Sequence, residues 1–171
     1  MSIRLARPHD VAAITAVEAA SWPAGLAATA DQVAARLAAA PEGQIVAVND
    51  GGDVVGVAWS QRITGEFLQS TPPVFDALTN RGTFQGTHCS SGEIYQLIGV
   101  GVDPACRGSH LGRQLVDAQL ELARALPDVR RILGFTRPVG YARNRSLSIE
   151  DYVQQKKEHG QYLDPMLAFH L

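Results

Sequence analysis

The segment from Glu93 to Leu126 limits the fold of this chain more than any other stretch. It begins with EIYQLIGVGV, a nearly continuous apolar run bounded by turns, which is typical of a strand buried in the centre of a sheet. The loop DPACRGSH follows, and LGRQLVDAQLELARAL then carries apolar side chains on one face with a helical period. The segment therefore predicts an α/β arrangement in which a central strand enters a helix through a glycine-containing loop.

The flanking segments extend this pattern. SIRLARP predicts a first strand, and DVAAITAVEAASW and ADQVAARLAAA predict two helices, the second capped by Thr29. QIVAV and VVGVAWSQRI flank NDGGD, which predicts a β-hairpin. RRILGFT and PMLAFHL predict two more strands, separated by a helix that starts at a capping box of Ser148 and Asp151 and runs to about Lys157. The order predicts an α/β (α+β) fold, a mixed central sheet with helices on both faces.

Length and composition restrict the classes of protein that fit. The 171 residues fit a single domain over 1–171, with 64–92 as a long irregular insertion rich in Gly, Ser, Thr and Pro. A net charge of −2 without a basic run argues against binding to nucleic acid or an anionic membrane. We find no secretion signal and no apolar stretch of about 18 residues, so we expect a cytoplasmic protein that does not span a membrane. Cys89 and Cys106 lack paired ligand spacing, so we expect no metal site.

The loop RGSHLGR has the composition of an anion site. Backbone N–H groups and the dipole at a helix N-terminus converge there, and Gly108 and Gly112 allow a pyrophosphate to approach the backbone closely. Arg107 and Arg113 add positive charge. From these residues alone, a plain turn that opens a helix stays an alternative.

The longer stretch VDPACRGSHLGR resembles the acyl-CoA signature of the GNAT superfamily, the Gcn5-related N-acetyltransferases. That signature is Arg/Gln-x-x-Gly-x-Gly/Ala after V-x-P at the end of a buried strand. Arg107 takes its first position and Gly112 its last, whereas His110 replaces the middle glycine. The resemblance implies the GNAT fold and a CoA ester (acetyl-CoA or another acyl-CoA, including malonyl-CoA) bound by Val100, Gly101, Val102, Arg107, Gly108, Ser109, His110, Gly112 and Arg113.

The resemblance also implies how the arm of the CoA ester binds. In this family the strand before the loop splays from its neighbour, so backbone groups near Val100 and Val102 pair with pantetheine. The N–H of Val100 or Gly101 would polarise the thioester carbonyl, which is stabilisation of an oxyanion. For transfer to an amine, Glu93 resembles the usual general base, although a solvated turn glutamate is the alternative.

Two further stretches resemble one branch of the superfamily. They are FDALTNRGTFQGTHCSSGEIYQL and GFTRPVGYARNRSLSIEDYV with YLDPMLAFHL, and the branch contains polyketide-synthase loading domains and GNAT modules joined to nitrilase-like amidases. This resemblance implies that Thr136 and His170 flank the acyl thioester and support decarboxylation of malonyl-CoA. The acyl group would pass to the thiol of an acyl carrier protein. Trp22 is implied as an aromatic residue of the acyl tunnel.

Three functions are thus open: acyl transfer from CoA to an amine or thiol, malonyl-CoA decarboxylation with S-acyl transfer, and a non-catalytic CoA-binding or interaction module. The third is suggested by His110 and by the C-terminus. GNAT chains normally continue past FH with xGF and a closing strand, whereas this sequence ends at Leu171. We therefore expect the C-terminal strand to be missing: either the sequence is a fragment or lacks a tail, or a second copy or another chain covers the sheet edge.

Overall fold

Within residues 1–170, which the computed structural model describes apart from the side chain of His170, five strands form one sheet. The sheet order follows the chain order. The strands are β1 (Ser2–Leu5), β2 (Ile45–Val48), β3 (Val54–Ile63), β4 (Ile94–Val102) and β5 (Arg131–Gly134).

Seven helices of the described residues lie between or after these strands, with none between β2 and β3. They are α1 (Val11–Ser21), α2 (Ala30–Ala39), α3 (Gly65–Ser70), α4 (Phe75–Thr79), α5 (Leu111–Ala125), α6 (Ile149–Val153) and α7 (Pro165–His170). The first compact unit of the chain is Met1–Gly134 and contains the whole sheet, whereas a second unit begins at Phe135. None of the helices in the described residues is long and apolar enough to cross a membrane.

The pairing of the strands confirms the predicted mixed sheet. β1 to β4 pair antiparallel in sequence order, and β5 lies parallel to β4. The NDGGD turn joins β2 to β3, with the Asn49 N–H donating to the Asp53 carbonyl at 2.9 Å. β4 thus lies between β3 and β5, as its apolar run predicts.

Helices cover both faces of the sheet, also as predicted. On one face α1 and α2 pack on β2 and β3 through one apolar cluster, and on the other face α5 packs on the same strands through a second cluster. The Thr29 hydroxyl accepts the Gln32 N–H and so caps α2. Members of the first cluster include Ile14, Val17, Val33, Leu37, Val57 and Trp59, and members of the second include Ile45, Ala58, Leu111 and Leu115.

Three predictions about the elements are wrong, one about the type of an element and two about where an element ends. PMLAFHL is the helix α7 and not a strand, because Asp164 accepts the N–H groups of Met166 and Leu167 and Pro165 fits the first helical position. The helix that Ser148 caps ends at Val153, four residues before Lys157. The fifth strand ends at Gly134, before Thr136, where its ladder with β4 ends.

Candidate functional site

The candidate site begins where β4 loses its parallel neighbour. The ladder between the two strands ends at the pair Leu97 and Gly134. An irregularity then pairs Ser60 with Leu97 but Trp59 with Gly99, so Ile98 is an extra residue that bends β4. From Ile98 to Val102, β4 has no strand partner on the β5 side among the described residues.

The register shows which backbone groups face this open edge. The Asp103 N–H donates to the Val55 carbonyl at 2.9 Å, so hydrogen-bonded and non-hydrogen-bonded pairs alternate from there along the antiparallel strands. Gly101 therefore pairs its backbone with Val57, whereas the backbone groups of Val100 and Val102 point away from β3. Of the two predicted candidates for polarising a carbonyl, Val100 is the one whose N–H faces the open edge.

The loop that follows β4 leads into α5 through two left-handed residues. Gly108 has φ +85° and His110 has φ +61°. A left-handed conformation costs a residue with a side chain roughly 1–2 kcal/mol, which explains why the signature has glycine at the position of His110. His110 occupies the N-cap of α5 without a side-chain hydrogen bond to the helix. The first N–H groups of α5 are therefore available to an anion.

The two arginines of the loop contact different parts of the first unit. Arg107 donates from Nη2 to the carbonyl of Ser21 at 3.3 Å, at the end of α1. Arg113 forms an exposed ion pair with Asp117, one helical turn further along α5, at 3.1 Å. The Ser109 hydroxyl donates to the Cys106 carbonyl at 2.6 Å and closes the loop on itself. The charge that the sequence predicts at this loop is present, and Arg107 is tied back to α1.

Trp22 packs on one face of β4 at Gly99, within the stretch of the strand whose edge is open. A Cβ atom placed on Gly99 would be 3.5 Å from the Trp22 ring, so the indole occupies the space that a side chain at position 99 would fill. The structure thus brings together Trp22, Val100 and the loop after Val102, which the sequence groups as acyl wall, thioester contact and phosphate site.

A buried polar group that the sequence analysis missed supports the chain around Trp22. The Glu18 carboxylate is 2 % exposed and accepts the Trp59 indole N–H at 2.7 Å and the Ala28 N–H at 2.9 Å. The Arg36 guanidinium lies 4.7 Å from the Trp59 ring, and burial lowers its pKa to about 10 although Glu18 opposes that shift. The Glu18 backbone carbonyl also accepts the Trp22 N–H at 3.1 Å, so Glu18 fixes both ends of the segment from Trp22 to Ala28. The signal for this buried group in the sequence is the lone glutamate of the apolar helix VAAITAVEAAS.

Glu93 lies at the opposite end of β4 from the loop, about 23 Å along an extended strand from Val100. Its carboxylate accepts the Gly65 N–H at 2.7 Å, at the start of α3. Hydrogen bonds from its own backbone N–H and from Gly65, with a contribution from Arg131, lower the pKa of Glu93. The structure therefore holds this group as a weakly basic carboxylate.

Thr136 and His170 both belong to the second unit. The Thr136 residue is half-buried, and its hydroxyl oxygen is buried with no hydrogen-bond partner within the described residues. Such a group is costly to leave unpaired, so it is a candidate contact for a ligand. His170 is the last residue of α7, and its side chain lies outside the described part of the structure.

The profile of the Acetyltransferase (GNAT) family matches residues 11–145. The chain belongs to this family. A comparison with curated proteins found no match. The membership of the chain in this family explains why β4 is bent, why its edge is open and why a loop leads into α5, because these are parts of the GNAT acyltransferase fold.

Among solved structures, the GNAT-like decarboxylase GphF in complex with isobutyryl-CoA is 35% identical, with a TM-score of 0.83 over 99% of this chain and 83% of that one. The loading GNATL domain of CurA from Lyngbya majuscula is 25% identical, with a TM-score of 0.84 over 99% and 81%. A GNAT family acetyltransferase from Brucella melitensis, solved with acetyl-CoA, shares the fold at 22% identity and a TM-score of 0.53 over 87% and 83%. The resemblance to the polyketide-loading branch is therefore confirmed.

Proposed function

We propose that this chain uses an acyl-CoA, which it binds along the open edge of β4 and across the loop that opens α5. The observation that carries this proposal is the end of the parallel ladder at Leu97 and Gly134. Within the described residues, β4 then has no strand partner on the β5 side, and the N-terminus of α5 has no side-chain cap. A ligand with an extended arm of amides and a pyrophosphate fits a free strand edge followed by a helix N-terminus. Relatives solved with isobutyryl-CoA and acetyl-CoA support the same ligand class.

Each end of the ligand would have its own partner. The pyrophosphate would lie at the loop from Arg107 to Arg113, where the left-handed conformations of Gly108 and His110 allow successive backbone N–H groups to face an anion. The pantetheine arm would run antiparallel along β4, and the Val100 N–H would donate to the thioester carbonyl. That donor polarises the carbonyl and stabilises negative charge on its oxygen in either acyl transfer or decarboxylation.

The reaction that we propose is decarboxylation of a malonyl-type thioester followed by transfer of the acyl group to the thiol of an acyl carrier protein. Two observations favour it. The Thr136 hydroxyl is buried and has no hydrogen-bond partner among the residues that the structure describes, as expected for a group reserved for the substrate. The similarity to a GNAT-like decarboxylase and to a loading domain extends over 99% of the chain in both cases.

In the first step, the bond between Cα and the carboxylate breaks and CO₂ leaves. The electron pair of that bond stays on the thioester, which becomes an enolate. The Val100 N–H stabilises the enolate oxygen, and Thr136 binds the carboxylate out of the carbonyl plane. His170 donates a proton to Cα, so malonyl-CoA and one proton become acetyl-CoA and CO₂. In the second step, a thiolate of the carrier protein replaces the CoA thiolate, which takes a proton.

Transfer to an amine is the alternative within the same family, with Glu93 as the base. The lowered pKa of Glu93 and its bond to Gly65 make it a weak base, which disfavours this alternative. A Glu93→Gln variant separates the two reactions, because it should slow transfer to an amine and leave decarboxylation unchanged.

The test is to incubate the purified chain with malonyl-CoA and follow acetyl-CoA by mass spectrometry, with and without an acyl carrier protein. We expect acetyl-CoA, and His170→Ala should abolish it while calorimetry shows unchanged binding of CoA. No binding of any CoA ester would contradict the ligand class. Binding without turnover of acetyl-, malonyl- or propionyl-CoA would instead identify a non-catalytic CoA-binding module.

A further inference from the structure

The last residue of α1 contacts β4 directly above the open edge. The Ser21 hydroxyl donates to the Val102 carbonyl at 3.0 Å, across 81 positions of sequence. A Cβ atom at position 101 would lie 3.3 Å from the Ser21 Oγ atom, so glycine at this position leaves room for the contact and a side chain would crowd it. The hydroxyl therefore holds the end of α1 against the one backbone carbonyl that Val102 directs to the open edge.

The phosphate loop holds the same residue from the other side. Arg107, the first residue of the signature, donates to the Ser21 carbonyl at 3.3 Å. Ser21 thus accepts a bond from the loop through its backbone and donates one to β4 through its side chain. Both bonds fix the point from which the chain continues into Trp22.

Trp22 follows Ser21 and rests against Gly99, two residues before Gly101 on β4. It is the C-cap of α1, and its N–H donates to the Glu18 carbonyl at 3.1 Å. Within the described residues, Trp22 itself makes no hydrogen bond to β4. Glu18 holds the segment from Trp22 to Ala28, whereas the bonds of Ser21 are the ones that tie its start to β4 and to the phosphate loop.

We infer that Ser21 is a positioning residue for acyl selectivity, acting through Trp22. It keeps the indole against Gly99 and occupies the Val102 carbonyl, so that only an acyl group that fits beside Trp22 binds next to Val100. Arg107 connects this arrangement to the loop where the pyrophosphate would bind. The inference rests on the proposed function, because it requires a CoA ester along β4.

The experiment compares the affinities of wild type and Ser21→Ala for CoA, acetyl-CoA, propionyl-CoA and isobutyryl-CoA by calorimetry. The loss of one neutral hydrogen bond should change the preference among the acyl groups by about three- to tenfold, with the affinity for CoA itself changed less than about twofold. Ser70→Ala is the matched control, because Ser70 is also the last residue of a helix and also donates to a backbone carbonyl, that of Glu66. It should leave all four affinities unchanged.

A second variant protects the test against a folding defect of Ser21→Ala. Gly101→Ala keeps the Ser21 hydroxyl but crowds it, so it should shift the acyl preference in the same way. An equal change for CoA and its esters, no change in preference, or a wild type that binds all four ligands equally would each overturn the inference. If the wild type binds no CoA at all, the proposed function fails instead.

Discussion

Leu97 and Gly134 form the last pair of the parallel ladder, and the strand edge that β4 offers to a ligand begins directly after this pair. The extra residue Ile98 turns β4 away from β5, so the backbone of Val100 faces an open edge instead of a neighbouring strand. β4 then ends at Val102, and Asp103 and the loop that leads into α5 follow it. One local irregularity therefore creates both the edge for an extended arm and the approach to a helix N-terminus.

The first prediction concerns the helix end at Gly112, the second residue of α5. Gly112→Asp should weaken binding of every CoA ester by about tenfold or more, because a carboxylate would face the pyrophosphate. An acidic residue in the first helical turn favours the helix dipole, so the melting temperature should not fall. Calorimetry and thermal unfolding check both statements.

Gly112→Asn is the control for this change, as it has nearly the same shape without the charge. It should weaken binding much less than the aspartate does, and added salt should reduce the difference between the two variants. Equal affinities of the aspartate and asparagine variants would contradict a phosphate site at this loop.

The second prediction concerns the unpaired hydroxyl of Thr136. Thr136→Val should lower the rate of malonyl-CoA decarboxylation by about 10- to 100-fold, the range expected for one hydrogen bond to a charged group. Its free energy of unfolding should stay the same or rise, because the valine leaves no buried polar atom without a partner. Single-turnover kinetics and urea denaturation measure the two quantities. Thr71→Val is the control, because Thr71 is a half-buried threonine directly after α3.

If Thr136→Val lost stability and kept its activity, the hydroxyl would be a structural group and not a substrate contact. A loss of both would point to a general folding defect, and binding of CoA by the variant would then decide between that defect and a local one.

Local signals account for the parts of the fold that the sequence predicts well. The NDGGD turn, the Thr29 cap and the apolar run of β4 each act over a few residues, and the structure has all three. The sequence predicts the short run PMLAFHL as a strand, which is wrong, because the spacing of its apolar residues fits a helix as well as a strand. Its helix depends on Asp164, which the Gly140 N–H and the Tyr152 hydroxyl hold in place from distant positions in sequence.

The site follows the same rule. The loop with Arg107 and Gly112 is visible as a motif, because its residues are adjacent in sequence. The bond between Ser21 and Val102 joins residues 81 positions apart, and the bond between Glu18 and Trp59 joins residues 41 positions apart, so neither contact has a signature in a single sequence. The motif therefore predicts where a ligand binds, whereas the residues that shape its surroundings need the structure.

The third prediction tests the left-handed conformation of His110, which has φ +61°. His110→Val should lower the free energy of unfolding by about 1–2 kcal/mol, because a β-branched side chain is poorly tolerated there. His110→Gly should be at least as stable as the wild type, since relief of the left-handed strain offsets the greater flexibility of glycine. Urea denaturation measures the free energies of unfolding of the two variants. If residue 110 had an extended conformation instead, His110→Val would be more stable than His110→Gly.

The fourth prediction concerns acid stability through Asp10, which is 4 % exposed. Arg4 donates to both carboxylate oxygens at 2.7 and 2.9 Å, and the Arg7 N–H donates at 2.7 Å. The bonds from Arg4 are the main cause that lowers the pKa of Asp10, with the Arg7 N–H adding to them against the opposing effect of burial. A lowered folded pKa means that the unfolded chain binds the proton more readily. The stabilisation is therefore complete above the unfolded pKa of about 4 and is lost as the pH falls through the folded pKa.

Asp10→Asn should accordingly lower the free energy of unfolding by about 2 kcal/mol at pH 7, the amount typical of hydrogen bonds to a charged group. The difference from the wild type should shrink as the pH falls below about 4, where the wild-type carboxylate takes up its proton. Urea denaturation at a series of pH values measures this, with the exposed Asp128→Asn as the control. A difference between wild type and Asp10→Asn that stays constant from neutral to acid pH would show that the charge of Asp10 contributes nothing to the bond with Arg4.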